Sequence, residues 1–383
     1  MILTNCACCA APLPHLAKQC SRCKTRYCGP ACQAQHWKEG GHDKCCKKIK
    51  RGGGAEQHHS DKKYSEAVKV AAETYAKDTK GQTCYICTEA LHRRTKEGLV
   101  RGCACHTTEG FVHVSCLAEQ AKFLVAEAFE NNLDIKVQCE RWDRWHNCSL
   151  CEQDYHGVVK CALGWACWKT YVGLPEEAIQ TGSNYAFNDR VHAMTVLGNG
   201  LSEAHLPSEW LNVLEAQLAT AKRIGMSLGG MSLDLDQIYG NLSNCYADLG
   251  RREDSLRLDR EIYALGKRSR GFDAGTLSSA NNLIFSLGKP EHTEERTAIF
   301  SEVLPHARAL GAENTNLSLR LRAAYAKDLI GTESRDLIEE AVAEYEDMYR
   351  ISKRVFGPSH PDSQARLRGI EWAREKLARA RLA

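Results

Sequence analysis

No run in the 383 residues approaches the ~18 consecutive apolar residues that a membrane-spanning helix needs, which excludes a helical membrane anchor within them. The opening MILTNCACCAAPLPHLAKQ has neither a basic n-region nor an apolar h-region, so no secretory leader is read and the cytoplasm or nucleus is the expected location. Catalytic signatures are also missing. His292-Thr-Glu-Glu is not HExxH, and Gly198-Asn-Gly200 lacks the third glycine and preceding strand of a dinucleotide fingerprint. Aromatics are sparse at 7% and prolines number only nine, yet 43% hydrophobic and 26% charged residues make an ordinary globular composition. Beyond residue 167 cysteine nearly vanishes, with Cys245 alone.

The other nineteen of the 20 cysteines crowd into the first 167 residues. Without an export signal, dense C-x2-C spacing reads as metal binding rather than disulfides, and no pair sits in the βαβ pattern of a redox motif. The formal charge of +3 counts thiols as neutral. Fourteen ligand thiolates and four divalent zinc ions would turn +3 into −3, so the basic balance is no argument for nucleic-acid binding by the whole chain.

The first constellation is Cys6-x2-Cys9, Cys20-x2-Cys23, Cys28-x3-Cys32 and His42-x3-Cys46. Eight such donors in four pairs suit two tetrahedral zinc sites in a segment too short to bury a core. Cys8 and Cys45 are near-duplicates that leave the ligand choice open by one position. The text CSRCKTRYCGPACQAQHWKEGGHDKCC, with Tyr27-Cys28, Cys32-Gln33 and His36-Trp37, resembles the MYND zinc finger. That resemblance implies an interleaved scheme, with Cys6, Cys9, Cys28 and Cys32 on one ion and Cys20, Cys23, His42 and Cys46 on the other. It also implies a protein-interaction surface for proline-containing peptides. His36 is read as a packed helix residue, not a ligand. No NHS-C-like cofactor motif of MYND-bearing methyltransferases occurs. Residues 1–51 carry ten Lys/Arg against Glu39 and Asp43, but no aromatic-interleaved groove is evident, so nucleic acid is not the expected partner. The stretch KKIKRGGGAEQHHSDKK (47–63) reads as an exposed connector, with a helix over 64–78.

The second constellation is Cys84-x2-Cys87, Cys103-x-Cys105, His113-x2-Cys116 and Cys148-x2-Cys151. With cysteine fourth and histidine fifth, and with CYIC, HVSCLAEQ and CSLCEQDYHG, it resembles the RING-CH finger. The family cross-brace implies Cys84, Cys87, His113 and Cys116 on one ion, and Cys103, Cys105, Cys148 and Cys151 on the other. Members are commonly ubiquitin ligases that dock a conjugating enzyme, and Ile86 occupies the docking position between the first pair. Three features depart from active members: Glu152 replaces a basic residue, Gln120 replaces a tryptophan, and no membrane span is present. Leu117, Leu124, Val125 and Phe129 form a helical stripe after the sixth ligand. Trp142 and Trp145 read as packing residues and Cys139 as a small buried one. Trp165 and Trp168, in an apolar run with Cys161 and Cys167, are expected to pack the finger on the helical part.

From about residue 169 the text is helical. Ile238, Leu242, Cys245, Tyr246 and Leu249 share one helix face. Leu249-Gly250 recurs as Leu287-Gly288 after 38 residues and as Leu329-Ile330 about 42 further on, the mark of stacked helix pairs. RVFGPSHPDSQAR (354–366) resembles tetratricopeptide repeats of the kinesin-light-chain kind, which implies four degenerate repeats, a terminal helix near Ser363–Leu382 and a groove for peptides. Ser255 stands at a usual alanine position, and Pro305 interrupts EVLPHARAL.

The expected architecture is multi-domain, two small zinc-stabilised fingers followed by an all-α helical-repeat solenoid. Its divisions are 1–46, 47–80 (basic linker and helix), 81–168 and 169–383. The expected role is an interaction scaffold, with a RING-type ubiquitin ligase as the alternative. A ligand change such as Cys20→Ser is expected to unfold only its own finger.

Overall fold

The computed structural model describes residues 2–14, 16–103, 105, 110–174, 180–181, 186–187, 189–223, 235–288, 291–310, 315–358 and 360–381. The chain divides into two compact units, Met1–Gly250 and Arg251–Ala383. The expected boundary at residue 168 instead falls within a helix, Gly157–Tyr171.

The first unit opens with a two-stranded antiparallel ribbon, β1 (Lys18–Gln19) and β2 (Arg26–Tyr27), with Gln19 opposite Arg26. Three helices follow: α1 (Pro30–Lys38), α2 (His42–Arg51) and α3 (Ala55–Thr74). The segment expected as a connector is therefore mostly helical. Gly52, Gly53 and Gly54 make the turn between α2 and α3, and Gly53 and Gly54 take positive φ of 85° and 103°. Helix α3 starts nine residues before the expected 64 because Ser60, Tyr64, Val68 and Ala71 form a face that becomes buried. Short-range composition does not reveal that burial.

Helices α4 (Val114–Glu130) and α5 (Ile135–Trp142) lead through a 3-10 turn at Asp143–Trp145 to α6 (Gly157–Tyr171). Helix α6 is the hub of the unit, packed by α3, α4 and the next helix, α7 (Asp189–Glu203). Trp142, Trp145, Trp165 and Trp168 are all buried, in the packing roles expected of them. Between α6 and α7 lies a small ribbon, β3 (Gln180–Thr181) with β4 (Ala186–Phe187). Helices α8 (Pro207–Arg223) and α9 (Leu235–Asp248) complete the unit. The stripe read on α9 is real, with Ile238, Leu242 and Cys245 buried.

Gly200, which failed as part of a nucleotide motif, has a packing role together with Gly164. A Cβ on Gly200 would lie 2.8 Å from the Lys160 carbonyl oxygen and 2.9 Å from the Cys161 Cα, and one on Gly164 would lie 2.9 Å from the Leu197 Cα. Helices α6 and α7 thus meet backbone to backbone. Gly200→Ala is expected to destabilise this unit by about 1–3 kcal/mol through overpacking, outweighing its helix-propensity gain of about 1 kcal/mol; urea denaturation measures the net.

The second unit runs α10 (Arg252–Arg270), α11 (Ala274–Ser286), α12 (Thr293–Arg308), α13 (Thr315–Ile330), α14 (Arg335–Phe356) and α15 (Pro361–Ala380). Consecutive helices pack on one another, and one core joins α10 to α13 through Tyr263, Leu277, Phe300 and Leu321. A second joins α13, α14 and α15 through Leu319, Tyr345, Met348 and Ile370. Ion pairs link alternate helices, Arg260–Glu295 at 2.6 Å and Lys267–Glu302 at 2.7 Å between α10 and α12, and Arg308–Glu344 between α12 and α14. This is a helical-repeat solenoid, in which each element covers the apolar face of its neighbour. The recurring marks at Leu249-Gly250, Leu287-Gly288 and Leu329-Ile330 fall at the ends of α9, α11 and α13. Pro305 lies inside α12 instead of interrupting it. It stands in the last turn of the helix and removes one backbone donor there. Among the described residues no helix is long and apolar enough to cross a membrane.

Candidate metal centres

All four C-x2-C pairs adopt one turn. The N–H of the residue after the second cysteine donates to the carbonyl of the first: Ala10 to Cys6 and Lys24 to Cys20 at 2.9 Å, Thr88 to Cys84 at 2.8 Å, Glu152 to Cys148 at 2.9 Å. The first cysteine's N–H donates five residues onward, to Ala11, Thr25, Glu89 and Gln153 at 2.7–3.0 Å. Ala10, Lys24, Thr88 and Glu152 all take left-handed backbone, with φ between 57° and 65°. In three of the turns the flanking residues pair in the same register: Asn5 with Pro12, Gln19 with Arg26, Asn147 with Asp154. Such turns aim both sulfurs and nearby N–H groups at one point. The Ile86 and Leu150 N–H groups each lie 3.4 Å from the sulfur of Cys84 and Cys148.

Each turn meets a second pair. The turn at Cys6 and Cys9 faces Cys28, after β2, and Cys32, in the first turn of α1. Cys20 and Cys23 face His42 and Cys46, one turn apart on α2. The Cys84 turn faces His113 and Cys116 at the start of α4, and Cys148 and Cys151 face Cys103 and Cys105. Within each group the four ligand atoms lie within 4.8 Å of one another. These are the four groups implied by the finger resemblances, residue for residue.

The spacing fits zinc. An ion with bonds of about 2.3 Å to sulfur in a tetrahedron sets sulfurs about 3.8 Å apart, and a sulfur and an imidazole nitrogen about 3.6 Å apart. Cys9–Cys28 measures 3.7 Å, and Cys20–Cys46 and Cys105–Cys148 each 3.8 Å, while Cys28–Cys32 is shorter at 3.2 Å. His42 Nε2 is 3.4 Å from Cys23, and His113 Nδ1 is 3.3 Å from Cys87 and 3.7 Å from Cys116. The near-duplicates stand apart from the groups. Cys45 lies 3.9 Å from His42 Nδ1, on the opposite edge of the ring from Cys23, and Cys8 contacts Gln35 Oε1 at 3.5 Å.

Left to themselves these thiols cannot all ionise. Cys84 is pulled down to about 4 by the Cys116 hydrogen bond against the opposing pull of burial, while that same bond and burial push Cys116 up. Cys148 and Cys103 behave alike, with Cys148 drawn to about 4. A proton is shared where two like charges would meet, and a divalent cation removes that restriction.

Second-layer residues orient both imidazoles. His42 stacks on His36 with centroids 5.1 Å apart and meets the edge of Trp37 at 5.7 Å, while the Tyr27 hydroxyl and His36 Nδ1 are 2.9 Å apart. His36 is thus packing, as expected, and Tyr27 is fully buried. His113 Nε2 lies 3.4 Å from the Ala90 carbonyl, which leaves Nδ1 for the ion. A fifth turn of the same design carries no cysteine: His92 N–H donates to Glu97 at 3.1 Å, Lys96 N–H to His92 at 2.9 Å, and Lys96 has φ 58°. Here a hydrogen bond from Thr95 N–H to His92 Nδ1, 3.2 Å, stands where an ion would. Glu97 accepts from Ser115 N–H at 2.7 Å and so caps α4 beside His113. Sequence reasoning missed this turn because its signal, cysteine, is absent.

The remaining thiols do other things. Cys161 and Cys167 are buried in α6, and burial pushes Cys161 up to about 12, so they are packing groups. Cys139, expected to be buried, is exposed because α5 buries only Trp142. Ile86 is exposed at 37%, and Leu150, its counterpart in the last turn, at 47%.

A sequence profile of the tetratricopeptide repeat family matches residues 334–362, which are α14 and the turn into α15. No curated protein matches the chain. Among the crystal structures similar to it are two of a Podosopora anserina chain whose name assigns it to the kinesin light chains with nearly identical TPR-like repeats. One, a single-substitution form of that chain, has 17% identity, a TM-score of 0.38, and coverage of 50% of this chain and 93% of that one. The other has 17% identity, a TM-score of 0.36, and coverage of 50% and 94%.

Proposed function

We propose that the chain is a zinc-dependent protein-interaction scaffold, holding four zinc ions in a MYND-like and a RING-CH-like finger and presenting tetratricopeptide-like helical repeats to peptide segments of partners. The observation that carries this reading is the convergence of sixteen donors into four tetrads, each with its ligand atoms within 4.8 Å of one another. In every tetrad all four positions are taken by protein donors. That is the mark of structural zinc, since catalytic zinc keeps a position open for water or substrate. Zinc here would set shape, and binding would be done by the surfaces it shapes. Elemental analysis of the untagged full chain is expected to return four zinc ions; two or fewer would remove a finger from the reading.

A second reading, a RING-type ubiquitin ligase, is favoured by one feature. Ile86 and Leu150 occupy equivalent places in two turns, are both exposed, and follow Tyr85 and Ser149, whose hydroxyls lie 3.3 Å apart. Such an aliphatic pair suits docking of a conjugating enzyme, and rate would come from orienting its charged ubiquitin. Full-length protein assayed with a panel of conjugating enzymes separates the readings. The scaffold reading expects no autoubiquitination; turnover abolished by Ile86→Ala with zinc content unchanged would establish the ligase.

A further inference from the structure

Helix α2 has two opposed faces. His42, Cys46 and Ile49 point inward at the second metal tetrad. At 100° per residue, Lys44, Lys47, Lys48 and Arg51 fall within an arc of about 100° on the opposite side, over about 10 Å of axis, and Lys50 flanks them. All five are exposed, and none has an ion-pair partner among the described residues. Lys48, Lys50 and Arg51 sit in the last turn, where the helix dipole favours cations, but Lys44 and Lys47 lie outside it. Glu39 and Asp43 are the only carboxylates against the ten basic residues of 1–51, and seven ligand thiolates on two zinc ions bring the formal +8 to about +5, still strongly basic.

The composition of this face selects its partner. Protein interfaces have an apolar, aromatic-rich centre and are depleted in lysine, whereas α2 exposes no large apolar side chain. A membrane-surface helix needs an apolar face to insert, and that of α2 is turned onto the tetrad. Interfaces with nucleic acid are polar and strongly positive, and phosphate contacts from Lys and Arg dominate them. An aromatic-interleaved groove, whose absence set nucleic acid aside at the level of sequence, serves to stack unpaired bases and is not needed to track a duplex backbone.

We propose that the outer face of α2 is a sequence-independent docking surface for the phosphate backbone of duplex nucleic acid. The ligands on its inner face tie this surface to zinc loading. Peptide binding elsewhere on the chain is independent of it.

The test uses the zinc-loaded full chain and a fluorescently labelled duplex DNA of about 20 base pairs, read by anisotropy. Four phosphate contacts predict that affinity falls by about a hundredfold between about 50 and 200 mM salt. A duplex of unrelated sequence should bind within about twofold, since phosphate contacts carry no sequence information. The variant Lys44→Gln/Lys47→Gln/Lys48→Gln/Arg51→Gln should lose at least about tenfold at low salt, with a flattened salt slope and undiminished zinc. The single reversals Lys47→Glu and Arg51→Glu should each weaken binding while disturbing the helix less. No binding at low salt overturns the proposal, as does a variant that binds like the parent. Preference for a poly-glutamate peptide or a phosphatidylserine vesicle over the duplex likewise overturns it, assigning the face to an acidic protein or a membrane.

Discussion

Removing zinc with excess chelator at neutral pH is expected to unfold residues 1–250 as one piece and to leave 251–383 helical. Each structural zinc site contributes on the order of 10–16 kcal/mol in finger peptides, as much as a typical domain's whole stability of about 5–15 kcal/mol. The fingers are built into the first unit. Ala55 N–H, at the start of α3, donates to the Cys23 carbonyl at 2.8 Å, so the second tetrad anchors that helix. Glu56 accepts from Ile2 N–H at 2.7 Å and pairs with the buried Arg190 of α7 at 2.8 Å. Thr4 Oγ1 and Asn212 Oδ1, on α8, are 2.7 Å apart. The expectation that Cys20→Ser would unfold only its own finger is therefore replaced: amides of α3 should lose protection with it. Hydrogen exchange resolved by peptide checks both claims. Protection retained throughout α3 and α6 after zinc removal would show that the helices of this unit stand without metal, and loss of protection in α10–α15 would show that metal stabilises the second unit too.

The metal tetrads were legible because coordination chemistry is local and spacing-driven. A cysteine pair two apart can wrap one ion on a tight turn, and the family order of ligands then implied which pairs join. The turn's backbone was not legible: its left-handed positions hold Ala10, Lys24, Thr88 and Glu152, none of them glycine or asparagine. Such a conformation costs about 1–2 kcal/mol per residue, a cost that the proposed zinc binding would outweigh. The α9 stripe and the Leu-Gly marks were legible because helical periodicity reports a buried face directly. Residues 47–63 were not, since their polar text is that of a connector until α6 supplies the surface that buries Ser60 and Tyr64. Gly164 and Gly200 show the same limit, because a close helix crossing is a relation between distant residues.

Arg296→Ala is expected to destabilise the second unit by about 3–5 kcal/mol, the cost of breaking a buried ion pair from one side. Nothing in the sequence singles this residue out. It lies one turn into α12, and its guanidinium holds three helices together. Nε and Nη2 donate to the two Asp328 oxygens on α13 at 2.7 and 2.8 Å, side by side as a fork. Nη1 donates to the Ile284 carbonyl and, at 2.9 Å, to that of Leu287, carbonyls at the end of α11 that the helix itself leaves open. Both side chains are largely buried, at 10% and 17% exposure, so water does not replace what is lost. For a unit of this size the loss corresponds to a midpoint lowered by roughly 10–20 °C. Arg296→Lys keeps the charge but not the fork, and should recover less than half of the loss. Arg335→Ala removes the exposed pair to Glu339, 61% and 42% accessible, and should change stability by no more than about 0.5 kcal/mol. Thermal melts of the zinc-loaded chain, read with exchange in α11–α13, separate these cases. Equal effects from Arg296→Ala and Arg335→Ala would mean that the solenoid is held by its apolar contacts alone, with the buried fork contributing nothing to the joint between its repeats.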